Sequence, residues 1–209
     1  MTYSIKEIFY TVQGEGVHTG RASVFCRFSG CNLWNGREED RKTAKCSFCD
    51  TDFVGTDGEG GGKFIDANKL AQTIISYWPS DERPFVVLTG GEPMLQVDNC
   101  LINTLKKYDC EIAIETNGTI KVPREIDWIC VSPKAGNKII QTSGDELKLV
   151  YPQTGVKPRS FEKYAFKNFS LQPMDGALKV HNTNLTLDYC MKNPRWRLSL
   201  QTHKVIGIR

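Results

Sequence analysis

From residue 63 onward, short apolar runs alternate with stretches of helical periodicity, and this alternation limits the fold more than any other feature of the chain. Strands are predicted at 85–89, 111–115, 128–132, 147–150, 169–172 and 197–201. Several of these runs are apolar at successive positions, as in parallel strands covered on both faces. Between them, 66–77 sets Leu70, Ile74, Ile75 and Tyr77 on one helical face behind Asp66 as N-cap. The segment 95–107 does the same through Leu101, Ile102 and Leu105, and a shorter helix is predicted at 184–191, ended by Asn193-Pro194. The helices are too few for eight complete units. The expected architecture is therefore α/β, an incomplete β/α barrel forming a single domain over 1–209, with functional residues gathered where strands end.

The bulk properties exclude several classes. With 209 residues, 40% hydrophobic and 24% charged, the chain has the make-up of an ordinary globular protein able to bury a sizeable core. A net charge of +3 without any long Lys/Arg run argues against a nucleic-acid footprint. No basic segment followed by a long apolar run opens the chain, and no later stretch is apolar enough to span a bilayer, so a cytoplasmic protein is expected. Eight cysteines in a reducing compartment suggest metal binding or catalysis where they cluster. Cys100, Cys110, Cys130 and Cys190 stand singly among apolar neighbours and read as small buried hydrophobes. The glycine-rich stretch 55–62 reads as a plain linker.

Cys31, Cys46 and Cys49 fall in one segment, about forty residues before the strand end Thr89-Gly90-Gly91-Glu92-Pro93. Three thiolates can hold a four-iron cluster and leave one iron open to a cofactor. Adding Cys26 instead gives a four-thiolate set suited to structural zinc. Strict alternation weighs against it, because Val24, Cys26 and Phe28 share one strand face while Phe25 and Arg27 share the other. Phe48, directly before Cys49, can shield a cluster or offer its ring to a nucleoside. Gly90 and Gly91 permit close approach of a ligand to the backbone, where amides and carbonyls can grip an amino-acid moiety.

These segments, in this chain order, resemble the radical S-adenosylmethionine enzymes. Most of that superfamily space their cysteines three and two residues apart, whereas 32–45 separates Cys31 from Cys46 here. With that long spacing, Gln13-Gly14-Glu15-Gly16, Cys26-Arg27-Phe28, Gly30-Cys31-Asn32-Leu33-Trp34 and Cys49-Asp50-Thr51-Asp52-Phe53 are similar to the 7-carboxy-7-deazaguanine synthases of queuosine biosynthesis. The similarity continues through Glu115-Thr116-Asn117-Gly118, Ser132-Pro133-Lys134, Gln172-Pro173-Met174-Asp175 and Ser199-Leu200-Gln201-Thr202-His203-Lys204, so it spans nearly the whole chain.

The resemblance implies a radical S-adenosylmethionine core with a cluster-binding loop at about 30–62. In it, Cys31, Cys46 and Cys49 ligate a [4Fe-4S] cluster whose open iron takes S-adenosylmethionine, and reduction releases a 5′-deoxyadenosyl radical. No catalytic side chain is implied, since the cofactor carries the bond chemistry. The cofactor-binding set is Phe48, Asp50, Gly91, Ser132, Pro133, Lys134, Gln172, Pro173, Met174 and Asp175. The substrate is 6-carboxy-5,6,7,8-tetrahydropterin, held by Val12, Gln13, Gly14, Glu15, Arg27, Thr89, His203 and Arg209, with Arg27 as the cation for its carboxylate. Mg²⁺ is implied at Thr51, although the residues alone read Asp50-Thr51-Asp52 as a helix cap or turn. A homodimer, an electron donor such as flavodoxin, and no direct contact with nucleic acid or membrane complete the expectation. His18 reads as a loop residue and the charged insertion 32–45 as a solvated excursion. The alternatives are a glycyl-radical activase, which carries the short cysteine spacing, and a zinc module that binds a partner surface.

Overall fold

The computed structural model describes residues 2–209. Strand β1 (Tyr3–Val12) turns back along β2 (Ala22–Phe28) as an antiparallel pair, and β3 (Gly62–Phe64) lines the outer edge of β1. The chain continues through α1 (Ala67–Ser76), β4 (Phe85–Gly90), α2 (Asn99–Lys107), β5 (Glu111–Thr116), β6 (Trp128–Val131) and β7 (Ser143–Tyr151). It ends with β8 (Ala165–Pro173), α3 (Lys179–Lys192), β9 (Trp196–Leu198) and the short α4 (Thr202–Ile206). One nine-stranded sheet results, in the order β3-β1-β2-β4-β5-β6-β7-β8-β9, parallel from β2 onward. Its edges do not meet, so the barrel is open, as the helix count predicts.

Period-2 alternation divides the sheet into two faces. Val24, Cys26 and Phe28 of β2, Val86 and Leu88 of β4, and Ile112 and Ile114 of β5 point outward and bury Leu70 and Ile74 of α1 with Leu101, Ile102 and Leu105 of α2. Truncating one of these, such as Leu70→Ala, costs about 2–5 kcal/mol. A second core gathers Val131, Leu147, Leu149, Phe169, Leu171 and Trp196 beneath α3. No α-helix separates β5 from β6, β6 from β7 or β7 from β8. The opposite face looks inward. Its lower layer is apolar, with Phe85, Val87 and Ala113 against Phe25 and Trp128, and its upper layer is polar, with Glu115, Glu146, Lys148 and Ser170.

The segment 13–20 plugs the barrel floor. Gly16 donates to Ser199 Oγ at 2.8 Å and Val17 to Glu146 Oε2 at 3.1 Å, while the His18 ring meets Trp128 at 4.2 Å and Phe85 at 5.0 Å. His18 is thus a loop residue wedged on aromatics. Among the described residues, no helix is long and apolar enough to cross a membrane.

Several local expectations need correction. Asp66 caps α1 as predicted, accepting from Lys69 N at 2.8 Å. The helix predicted at 95–107 starts only at Asn99, because Asp98 takes the N-cap and Pro93–Leu95 forms a separate 3-10 turn. The third helix begins earlier than 184, at Lys179, and β9 is Trp196–Leu198, not 197–201: Ser199 makes a last bond from its N–H to Leu171 O at 2.8 Å, and its hydroxyl accepts from the floor segment at Gly16. Cys110 and Cys130 are buried, but Cys190 is half-buried and Cys100 is exposed: Leu101, Ile102 and Leu105 take the core side of α2 and leave Cys100 outside. The stretch 55–62 is no plain linker. Ile8 donates to Glu59 O at 2.7 Å, Gly58 to Lys6 O at 3.0 Å, and a Cβ at Gly61 would lie 2.3 Å from Lys6 O.

Candidate active site

The cysteine segment and the glycine pair meet directly. Gly91 packs so closely that a Cβ there would stand 2.2 Å from Gly30 O and 2.8 Å from Cys31 Cβ, which only glycine permits. Glu92 N donates to Gly30 O at 2.9 Å. The Glu92 side chain, fully buried, accepts from Met94 N at 3.0 Å, Thr116 Oγ1 at 2.7 Å and Asn117 N at 2.7 Å. Burial pushes this carboxyl up, against the opposing pull of those donors. Asn117 donates in turn to Asn32 Oδ1 at 2.9 Å, so the ends of β4 and β5 and the cysteine loop form one hydrogen-bonded unit.

The insertion 32–45 carries most of its charges in solvent, as expected, and through Arg41 it also braces the cysteine loop. Its 3-10 helix, Glu38–Thr43, sends Arg41 back to Ser47 O at 3.0 Å and Cys49 O at 2.9 Å. Arg41 also lies 4.1 Å above the Trp34 ring and pairs with Glu38. On the other side, Lys6 Nζ grips Val54 O at 2.9 Å, Asp57 at 2.8 Å and Asp52 at 2.9 Å. No helix follows Asp50-Thr51-Asp52, which rules out the cap reading. Asp52 accepts from Val54 N and makes a turn.

Two adjoining cavities open where the parallel strands end. The first, of about 970 Å³ with its mouth, is lined by Cys31, Cys46 and Cys49, by Phe48, Asp50 and Thr51, by Gly91, Ser132 and Lys134, and by Gln172, Pro173, Met174 and Asp175. The second, of about 830 Å³, is lined by Val12, Gln13, Gly14 and Glu15, by Arg27 and Thr89, and by His203 and Arg209. Glu15, Asp50, Thr51, Thr89, Glu115 and Gln201 belong to both walls. Of the residues expected to bind cofactor, Pro133 alone does not line the first cavity: its backbone faces inward to the protein, with its carbonyl accepting from Gln153. Cys26 is buried in the outer core, away from the other three thiols, as alternation predicts, so the four-thiolate zinc set does not assemble. Among the described residues, no three His, Cys, Asp or Glu side chains are gathered to hold a metal ion, and the three thiols stand around a cavity instead. Burial pushes the Cys31 and Cys46 thiols up, Lys134 opposing this at Cys46.

Inside the barrel, Lys148 Nζ lies 2.8 Å from Glu15 Oε2 and 2.7 Å from Glu115 Oε2. Glu15 Oε1 accepts from Gln172 and Gln201, each at 3.0 Å. Burial alone would raise the Glu15 carboxyl, but Lys148 and Gln201 hold it at about 2. Burial works against the Lys148 ammonium too, yet Glu115 and Glu15 keep its affinity for the proton well above the ordinary lysine value. Glu115 is raised by burial with Lys148 opposing. Gln172 Oε1 is buried with no partner, a free acceptor in the first cavity. At the mouth, Arg27 Nε pairs with Glu7 at 2.8 Å, and Arg209 pairs with Glu7 at 3.2 Å and Glu59 at 2.8 Å, with both guanidinium groups near the Phe9 ring. The segment after β9 straps the opening: Thr202 N donates to Gly14 O at 2.8 Å, His203 packs on Gly14, and Lys204 bridges Asp50 and Asp175 at 2.6 Å each. Burial lowers the His203 pKa.

Sequence reasoning missed Glu7, Glu115, Lys148, Gln201 and Lys204 as wall residues. Strand parity carried the signal for two of them. Glu115 shares the parity of Ala113, and Lys148 is a lone charge between Leu147 and Leu149, so both had to face inward. The bridge by Lys204 had no sequence signal, because it joins residues from three distant segments.

No family model matches the chain. Among curated proteins, it is 60% identical over 210 residues to a 7-carboxy-7-deazaguanine synthase of Bradyrhizobium diazoefficiens, covering 100% of both chains. It is 44% identical to the protein of that name from Bacteroides thetaiotaomicron, again over 100% of both chains. The crystal structure of QueE from Escherichia coli superposes with a TM-score of 0.68 at 27% identity, covering 97% of this chain and 95% of that one. With the open parallel sheet, the paired cavities and identity at this level over full length, the chain belongs to the 7-carboxy-7-deazaguanine synthase family.

Proposed function

We propose that this enzyme is a lyase that converts 6-carboxy-5,6,7,8-tetrahydropterin into 7-carboxy-7-deazaguanine with loss of ammonia, using a [4Fe-4S] cluster, S-adenosylmethionine and Mg²⁺. The observation that carries the reading is the shared wall. Three thiols and the close-packed Gly91 line one cavity, which adjoins a second lined by Gln13, Glu15 and Arg27.

The donor sets fit these groups. Cys31, Cys46 and Cys49 surround a space without converging on one point, which suits a multi-iron cluster with an open iron better than a single zinc ion. Gly91 lines the cavity on the side where the methionine end of the cofactor would lie, and the free Gln172 Oε1 is an acceptor for a donor on the same ligand. Phe48, Ser132, Lys134, Met174 and Asp175 border the remaining space for the nucleoside. Thr51, in the wall shared by both cavities, would offer a hard oxygen to Mg²⁺, which would supply charge to orient the substrate carboxylate. When bound, cluster and S-adenosylmethionine supply the radical that removes hydrogen from C6 of the substrate, fed by a one-electron donor such as flavodoxin.

The chain's own residues then bind and orient. Arg27, fixed by Glu7 through Nε, keeps its other guanidinium nitrogens for the substrate carboxylate. Glu115 and Gln13 offer acceptor and donor groups to the edge of the heterocycle, and Thr89 stands between the two ligands. His203, Gly14 and Arg209 border the opening of the second cavity, with His203 packed on Gly14.

Incubating cluster-reconstituted protein anaerobically with S-adenosylmethionine, dithionite, Mg²⁺ and the carboxytetrahydropterin tests this reading. Formation of the deazapurine with one ammonia per product supports it. Cofactor cleavage without deazapurine overturns the substrate assignment, and absence of both overturns the whole.

A further inference from the structure

A buried ammonium between two carboxylates is costly to maintain, and nothing in the chemistry above uses it. Lys148 is 4 % exposed, in the middle of β7 between Leu147 and Leu149, which face the outer core. It is a cation with two anionic partners on separate elements: Glu15 on the floor-plugging segment and Glu115 at the end of β5. The two partners differ in what they have left to offer. Glu15 is saturated, taking Lys148, Gln172 and Gln201. Glu115 takes Lys148 on Oε2, has a long 3.3 Å bond from Gln13 Nε2 on Oε1, lies beside the Cys130 thiol and borders both cavities. A carboxylate with spare acceptor capacity matches the paired N–H donors of a 2-amino-4-oxo heterocycle.

We propose that Lys148 is a positioning residue of the substrate site: by pinning Glu115 against Glu15, it holds the free Glu115 oxygen toward the cavity as the acceptor for the N–H edge of the pterin ring. This rests on the substrate reading given above. The other ionisable groups around the ammonium are Cys130 on β6, Glu146 on β7 and, beyond Glu15, His203 on α4. Without the cation, Glu115 would stand beside the anions of Glu15 and Glu146 with nothing to offset them, so a proton would stay on it to higher pH and present an O–H donor to the N–H edge of the ring.

The test uses full-length protein supplied with Mg²⁺ and 6-carboxypterin, whose own fluorescence reports binding. Lys148→Met should weaken binding roughly 30-fold or more, the scale for truncating one partner of a buried charge pair. The acid limb of binding should also move to higher pH, which loss of packing alone would not cause. Because Lys148 acts through Glu115, the double variant Lys148→Met/Glu115→Gln should bind within about twofold of Glu115→Gln alone. The double variant keeps the comparison readable where Lys148→Met folds poorly, since the neutral glutamine removes one of the two carboxylates that lose the cation and Glu15 keeps Gln172 and Gln201 as donors. Losses that multiply in the double variant, or Lys148→Met binding like wild type, overturn the proposal. Failure of wild-type protein to bind 6-carboxypterin overturns the substrate reading itself.

Discussion

Single side chains divide the site into a cofactor part and a substrate part, and substitutions should separate them. Cys46→Ala removes one of three thiols lining the first cavity and should abolish cluster loading, read as iron and sulfide per chain after anaerobic reconstitution. A variant that keeps a full cluster would refute the ligand assignment. Arg27→Ala should leave cluster content unchanged and weaken 6-carboxypterin binding roughly 10- to 100-fold, the scale of a lost charge-assisted hydrogen bond, by fluorescence titration. At this scale alternation made much legible: it set Cys26 into the core and Arg27 toward the cavity, where the structure has them. Lys148, a charge inside an apolar strand, bore the same signal and was nevertheless missed. Pairing with Glu15 could not be read, because that contact spans the floor plug and β7.

Two elements decide whether the site can form, the end of β4 and the braced cysteine loop. Gly91→Ala would drive a Cβ onto Gly30 O and should destabilise the fold by about 1–3 kcal/mol in chemical denaturation while lowering cluster yield. Arg41→Ala acts on a partly exposed side chain, so stability should change by no more than about 1 kcal/mol. The loop backbone at 47 and 49 would lose its anchor, however, and the cluster should bleach faster under a chelator. Equal bleaching rates would show that the insertion does not brace the loop. Elements with strong periodicity and a side-chain cap, such as α1 behind Asp66, were legible. The start of α2 was not, since the apolar face at Leu101, Ile102 and Leu105 continues a pattern that Pro93 and Asp98 interrupt locally. Most of the insertion's charges are solvated as they looked, but Arg41 could not be told from the rest because its targets are backbone carbonyls, which leave no mark in a sequence.

Across the whole molecule, an open sheet gathers its strand ends into one mouth, a plug closes the floor and the segment after β9 straps the gap. Lys204 ties that strap to Asp50 and Asp175. Lys204→Ala should speed amide hydrogen exchange across 199–209 and leave β4 to β7 unchanged. Unaltered exchange would mean the strap is held by Thr202 and Arg209 alone. That the strands from β4 to β9 are parallel followed from apolar runs and helix spacing, whereas the place of β2 beside β4, the antiparallel β1 and the pinned stretch 55–62 depend on pairings with residues far along the chain. The central claim is that Cys31, Cys46 and Cys49 hold a cluster with one iron open to S-adenosylmethionine. Electron paramagnetic resonance of the reduced, reconstituted protein tests it most directly. The account predicts a reduced-cluster signal that shifts when S-adenosylmethionine is added, and a signal that is absent, or unmoved by the cofactor, would contradict it.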